Sequence, residues 1–166
     1  MKKFLRLLRH LFFPPWLVRR TFSARDMQAI TAAIRESEAT HRGEIRFAVE
    51  TTLHPWSLLL GQSARQRAVE AFAHLRVWDT EENNGVLIYL LLADRDVEIV
   101  ADRGIHRRTG DAPWEDICRR MEQDFRQGRF TEGVAAGIRS AGTLLARHYP
   151  PRPGDSDELP NQPALL

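Results

Sequence analysis

Val86 to Leu92 reads Val-Leu-Ile-Tyr-Leu-Leu-Leu, seven apolar residues between an acidic turn (Asp79–Gly85) and a tight turn (Ala93–Asp96). Such a run predicts a strand covered on both faces, the middle of a layered α/β structure. Val97, Ile99 and Ala101 then share a face opposite Asp96, Glu98 and Asp102, so residues 86–101 read as a β-hairpin whose second strand is edge-like. Upstream, Ile45, Phe47 and Val49 share one side of an alternating segment, which predicts a strand with one well-buried face.

Helical periodicity fills the intervals. Ser23-Ala24-Arg25-Asp26 resembles a capping box, and Met27, Ile30 and Ile34 repeat at helical spacing to about His41, before Gly43. A second helix starts at Ser57 or Ser63 and runs to about Val77, after a loop at Leu53–Trp56. Pro113 suits a helix start, with Ile117, Met121 and Phe125 as its buried stripe. Thr131 opens the last helix, where Val134, Ile138, Ala141, Leu145 and His148 align. Gly133, Gly137 and Gly142 weaken that helix, which predicts close backbone packing on a sheet. Residues 150–166 carry no periodicity and several prolines and read as a disordered tail. The fold expected is an α/β/α sandwich with a small mixed sheet that includes the 86–101 hairpin. The domain expected over 23–149 is flanked by an arm (1–22) and the tail.

The 166 residues are enough for one domain with a core that needs no disulfide, and Cys118 has no internal partner in any case. The formal charge of +2 conceals an asymmetry. Residues 1–22 carry six Lys and Arg and no carboxylate, leaving the remainder at −4. The basicity therefore belongs to the arm, and a nucleic-acid-binding domain is not indicated. On a helical wheel Phe4, Leu5, Leu7, Leu8, Leu11 and Phe12 fall within an arc of about 160°, with Lys2, Lys3, Arg6, Arg9 and His10 on the rest. This pattern suits a helix lying in an anionic membrane interface, with Lys2, Lys3, Phe4, Leu8, Leu11 and Phe12 in contact. Packing of the apolar face on the domain or on another copy is the alternative. No stretch approaches the ~20 apolar residues of a spanning helix, and no cleavage site follows the arm. The expected location is cytoplasmic and peripheral at the inner membrane face, with a membrane surface or membrane protein as partner.

Phosphate-binding glycine loops, the serine nucleophile elbow and paired zinc-ligating cysteines are all missing from the sequence. What remains is carboxylates near strand ends. Asp102 and Asp111, joined by Asp79 and by Asp94 in the hairpin turn, form the candidate set for calcium or another divalent cation. Arg103 and Arg107 are candidates for holding an anion such as phosphate, or for neutralising these acids. Cys118 borders an apolar stripe and reads as a buried structural thiol.

The stretch Asn83-Asn84-Gly85 through Val86–Leu92, Asp94-Arg95 and Val97–Ala101 to Asp102-Arg103-Gly104-Ile105 resembles the core motif of the TPM domain family. Phe125-Arg126-Gln127-Gly128-Arg129-Phe130-Thr131-Glu132-Gly133-Val134 is similar to that family's segment before its last helix. The resemblance spans about residues 24–148. It implies an α/β/α sandwich, often membrane-linked, with divalent-metal binding and phosphatase activity attributed to some members. Its acidic strand-end positions correspond to Asp102 and Asp111, with Asp94 in the turn. Asp102 stands where the first glycine of the family's exit motif is common, so the metal geometry implied for relatives need not transfer. Many relatives also carry a cleaved signal and a C-terminal anchor, neither of which is evident here. Two functions follow as expectations: a non-catalytic accessory module at the membrane surface that binds a divalent cation, or a metal-dependent phosphomonoester hydrolase.

Overall fold

A computed structural model describes residues 2–154 and 156–166. The chain opens with α1 (Lys2–Phe12) and a short α2 (Leu17–Thr21), followed by α3 (Ala24–Glu38), β1 (Glu44–Glu50), α4 (Pro55–Leu59) and α5 (Ala64–His74). The hairpin strands β2 (Gly85–Leu91) and β3 (Asp96–Ala101) come next, then α6 (Arg103–Thr109), α7 (Ala112–Arg126), α8 (Phe130–His148) and β4 (Ala164–Leu165). The strands form one sheet in the order β3-β2-β1-β4. β2 and β3 are antiparallel, whereas β1 runs parallel to β2, with Glu44 opposite Gly85 and Glu50 opposite Leu91.

β2 is buried along its whole length because its two faces belong to two cores. Val86, Ile88 and Leu90 join Ile45, Phe47 and Val49 of β1 against α3, α7 and α8. Leu87, Tyr89 and Leu91 join Ala48, with Leu58 of α4 and Ala64, Ala68 and Ala71 of α5, on the other side. The result is the three-layer α/β/α sandwich with a mixed sheet. Ser23 and Asp26 form a reciprocal capping box at the start of α3, and Ser63 with Gln66 repeats the device at α5. The helix expected from Ser57 or Ser63 is thus two helices, since His54 and Pro55 start α4 and Gly61, at φ 80°, ends it.

Two expectations change. The glycines of α8 serve helix packing rather than contact with the sheet: a Cβ at Gly137 would collide with the Met121 sulfur of α7, and one at Gly142 with the Ser37 hydroxyl of α3. Within the tail read as disordered, residues 158–166 form an ordered strap. Its last residues pair with β1 in parallel, and the Leu166 amide donates to the Val49 carbonyl at 3.1 Å.

The strap holds because β1 is not half-polar in the usual sense. Glu44, Arg46 and Glu50, which alternate with the apolar residues, are each at most 9% exposed. The Glu44 carboxylate accepts the amides of Glu158 and Leu159 at 3.1 and 3.2 Å. Arg46 donates to the carbonyls of Pro160 and Gln162. Glu50 accepts from Arg67 Nε at 2.8 Å and from the Tyr89 hydroxyl at 2.5 Å. The proline-rich segment lacks a core of its own, yet the polar side chains of β1 satisfy its main chain.

Burial, reinforced by the neighbouring carboxylates Glu44 and Asp157 against the Ile45 amide, pushes Glu38 up to about 8. Burial likewise raises Glu44 to about 7. Both carboxyls start from 4.5, so the folded chain holds protons that the unfolded chain releases, and stability falls as pH rises from about 5 to 8. Glu38→Gln is expected to flatten that decline by at least about 1 kcal/mol in urea titrations at the two pH values. An unchanged slope would reject this assignment.

Candidate functional site

Two polar regions lie at opposite ends of β2. At its start, the adjoining ends of β2 and β3 are tied by the Asp102 amide, which donates to the Gly85 carbonyl at 2.8 Å. Asn83 adopts φ 52°, and its carbonyl accepts the amides of Gly104 and Ile105 at 2.9 and 3.3 Å. Gly104 must be glycine, because a Cβ there would run into the carbonyls of Asn83 and Glu82. Asn83 Oδ1 also accepts Arg103 Nε at 2.9 Å. Asp102 caps α6 by accepting the Arg103 amide at 2.7 Å through Oδ1. Asn84, 1% exposed, donates through Nδ2 to the Arg42 carbonyl at 2.8 Å.

Two oxygens at this end are left over. Asp102 Oδ2 and Asn84 Oδ1 are buried and have no hydrogen-bond partner. A buried acceptor in that state costs about 1–3 kcal/mol, so the pair stands out as acceptors available to a ligand. Arg42, whose carbonyl accepts Asn84, pairs with Glu82, while Arg108 stacks on the Tyr149 ring at 4.7 Å.

The other end is the β2–β3 turn, which carries Asp94. Its carboxylate accepts Arg6 Nε at 2.7 Å, pairs with Arg9, and stands 3.1 Å from His10 Nε2. The Leu53 amide donates to His10 Nδ1 at 3.0 Å, which assigns the ring proton to Nε2, facing Asp94. Burial alone would raise the Asp94 carboxyl, but the adjacent His10 N–H, the Arg6 hydrogen bond and the Arg6 charge outweigh it and hold it at about 2. Asp94 is therefore the anchor of α1. The helix is attached by its cationic side and by Leu7, which packs against the core beneath α5, and Phe4, Leu5, Leu11 and Phe12 are 58–77% exposed. Leu8 is half-buried, and the side chains of Lys2 and Lys3 lie outside the described residues.

The four carboxylates expected to share a cation are dispersed. Asp94 is consumed by its arginines, Asp79 is exposed in the turn before β2, and Asp111 stands at the start of α7, 3.7 Å from His106 Nδ1. Among the described residues no three His, Cys, Asp or Glu side chains are grouped to hold a metal ion. The donors present suit a hard, oxygen-seeking cation only in part: of the expected set, Asp102 alone offers a free buried oxygen, beside that of Asn84. Arg103 sits at the same end, bonded to Asn83, whereas Arg107 is exposed. Asp111 instead borders a cleft of about 430 Å³ between β3 and α7, shared with Asp96, Glu98, Cys118 and Glu122. Burial raises Asp96 and Glu98, with nearby carboxylates adding to it, and pushes the Cys118 thiol up to about 12, so the thiol stays protonated.

A family model of the TPM domain matches residues 19–144. The chain belongs to the TPM domain family. Among solved structures it is similar to the BA42 protein of the psychrophilic bacterium Bizionia argentinensis, at 34% identity and a TM-score of 0.77, over 87% of this chain and 95% of that one. It also shares its fold with the N-terminal domain of a protein from P. gingivalis, at 23% identity and a TM-score of 0.57, over 79% and 82% of the two chains. The comparison with curated proteins finds no match.

In this TPM domain the matched region leaves out α1, so the Asp94 anchor joins the domain to a segment that the family model does not cover. Sequence patterning missed Asn84 and the role of His10. Asn84 is hidden in a turn-forming Asn-Asn-Gly, and His10 reads as one more polar residue on a cationic face. Asp94→Asn is expected to free α1, with faster proteolysis within residues 1–22 and a loss of about 1–2 kcal/mol. The native contribution is present above pH about 4 and lost as pH falls towards 2, because the folded carboxyl titrates below its ordinary 3.8. Unchanged proteolysis of the arm in the variant would refute the anchor.

Proposed function

We propose that this TPM protein is a non-catalytic accessory module that docks on an anionic membrane surface through α1. The observation carrying this reading is the attachment of α1 by its polar side and Leu7, which leaves most of its apolar face outward. Arg6, Arg9 and His10 face Asp94, and the apolar side chains Phe4, Leu5, Leu11 and Phe12 are turned to the exterior. Apolar groups on a helix remain exposed at a cost unless something covers them. A bilayer interface accepts apolar side chains and favours flanking cations, here Arg19 and Arg20. No helix among the described residues is long and apolar enough to cross a membrane, so contact by this route is peripheral.

A second reading, metal-assisted hydrolysis of a phosphomonoester, is supported by the unpartnered oxygens of Asp102 and Asn84 with Arg103 beside them. Asp102 and Asn84 would hold the cation, which when bound supplies Lewis-acid polarisation of a phosphoryl oxygen. Arg103 would orient the phosphate, and releasing its bond to Asn83 Oδ1 is the rearrangement required.

For the first reading, the full chain is expected to co-sediment with vesicles of phosphatidylcholine and phosphatidylglycerol, less so at raised salt. Phe12→Glu combined with Leu11→Glu should lower the partitioning at least about tenfold. Equal pelleting of variant and native chains would reject it. For the second, calcium or magnesium should shift the amide resonances of Asn84 and Asp102, and turnover of a generic phosphate ester should vanish in Asp102→Asn. Silent amides would exclude a cation at this end, and turnover retained in the variant would remove Asp102 from the chemistry.

A further inference from the structure

Exposed large apolar side chains are concentrated at one corner of the molecule. Besides those of α1, they include Trp56, Leu59 and Leu60, which are 64%, 61% and 74% exposed. These three belong to α4 and the residue that ends it, and α4 packs against α1. Leu58, between them, is buried in the core beneath α5 and fixes the orientation of the short helix. The same histidine that meets Asp94 accepts the Leu53 amide just before α4, and Arg6 donates to the Gln62 carbonyl just after it at 2.8 Å. α1 and α4 are thereby clamped as a unit at the ends of β1 and β2.

Resting on the membrane-surface reading, we infer that α1 and α4 form a single lipid-inserting corner, with Trp56, Leu59 and Leu60 as its second wedge, and that this corner fixes the orientation of the bound protein. The occupant is an anionic lipid leaflet. Charge complementarity favours it. Asp94 is matched by two arginines, and Glu50 and Glu70 share Arg67, with Glu70 also bonded to Gln62. Three arginines thus meet these three carboxylates, and Lys2, Lys3, Arg19 and Arg20 of the arm add further cations. Trp56 has the amphipathic ring that membrane interfaces select. Insertion along two helices, rather than one, removes rotation about the α1 axis. β2 spans seven residues, about 20 Å, so the Asn84 and Asp102 end is then held that far from the lipid, facing water.

The test uses the full chain with Cys118→Ser and an environment-sensitive fluorophore on Leu60→Cys or, at the far end, on Glu81→Cys, whose native side chain is exposed. With vesicles of phosphatidylcholine and phosphatidylglycerol, the label at position 60 should shift to the blue and resist iodide quenching, while the label at 81 changes in neither. Leu59→Glu with Leu60→Glu should weaken partitioning about tenfold while leaving the circular dichroism spectrum unchanged. If Phe12→Glu with Leu11→Glu abolishes binding but the label at 60 stays quenchable, the second wedge is overturned and the membrane reading stands. No binding of the native chain overturns both. A blue shift at 60 without vesicles, growing with protein concentration and accompanied by a dimer in sedimentation, assigns the corner to a second copy and also overturns the inference.

Discussion

A strand buried on both faces has no room for charge along its length, and β2 is such a strand: its seven residues are buried and its one polar group, the Tyr89 hydroxyl, is bonded to Glu50. All polarity associated with it is forced to its two ends. At one end Asn84 and Asp102 close the junction with β3 and keep two acceptors unsatisfied. At the other, the Asp94 carboxylate is partly buried and requires cations, and α1 supplies them. The direction in which α1 presents its apolar side is a by-product of that requirement. The same helix docked by its whole apolar face would hide the surface that the functional reading needs.

Most of the fold was legible because its determinants are local. The apolar run of β2 and the hairpin chemistry after it specify strands directly, and the Ser23–Asp26 capping box sets the start of α3. The strap was not legible. Arg46 and Glu44 alternate with apolar residues in the way of a solvent-facing strand side, and nothing in their spacing distinguishes bonding to water from bonding to Pro160 or Leu159 more than a hundred residues away. Likewise, Gly137 and Gly142 announce close packing, but whether on a sheet or on α7 and α3 depends on tertiary geometry.

The candidate site divides in the same way. Asp102 and Arg103 were found because a strand end followed by a helix start is a recognisable place for polar side chains. Asp94 was found as a residue but with the wrong partner, since the cations that neutralise it sit more than eighty positions earlier. Asp79 and Asp111 show the limit of reasoning from strand-end carboxylates. Both lie near loop ends, and neither converges with Asp102 into a metal group among the described residues. Membership of the TPM family accounts for the fold; the specific role rests on what the two ends of β2 and the exposed corner do.

The position of the strap has a consequence for how the chain is made. β1 emerges from the ribosome early, and β2 and the helices can assemble on one side of it as they follow, but its other edge is closed only by Ala164 and Leu165, more than a hundred residues later. Until those residues emerge, β1 presents unpaired backbone together with the Glu44 and Arg46 side chains that will later hold the strap. The nascent domain thus carries an open sheet edge between the synthesis of β1 and that of the strap, and Glu44 and Arg46 act in that interval as gatekeepers: their charges discourage pairing with a stray strand before the strap arrives.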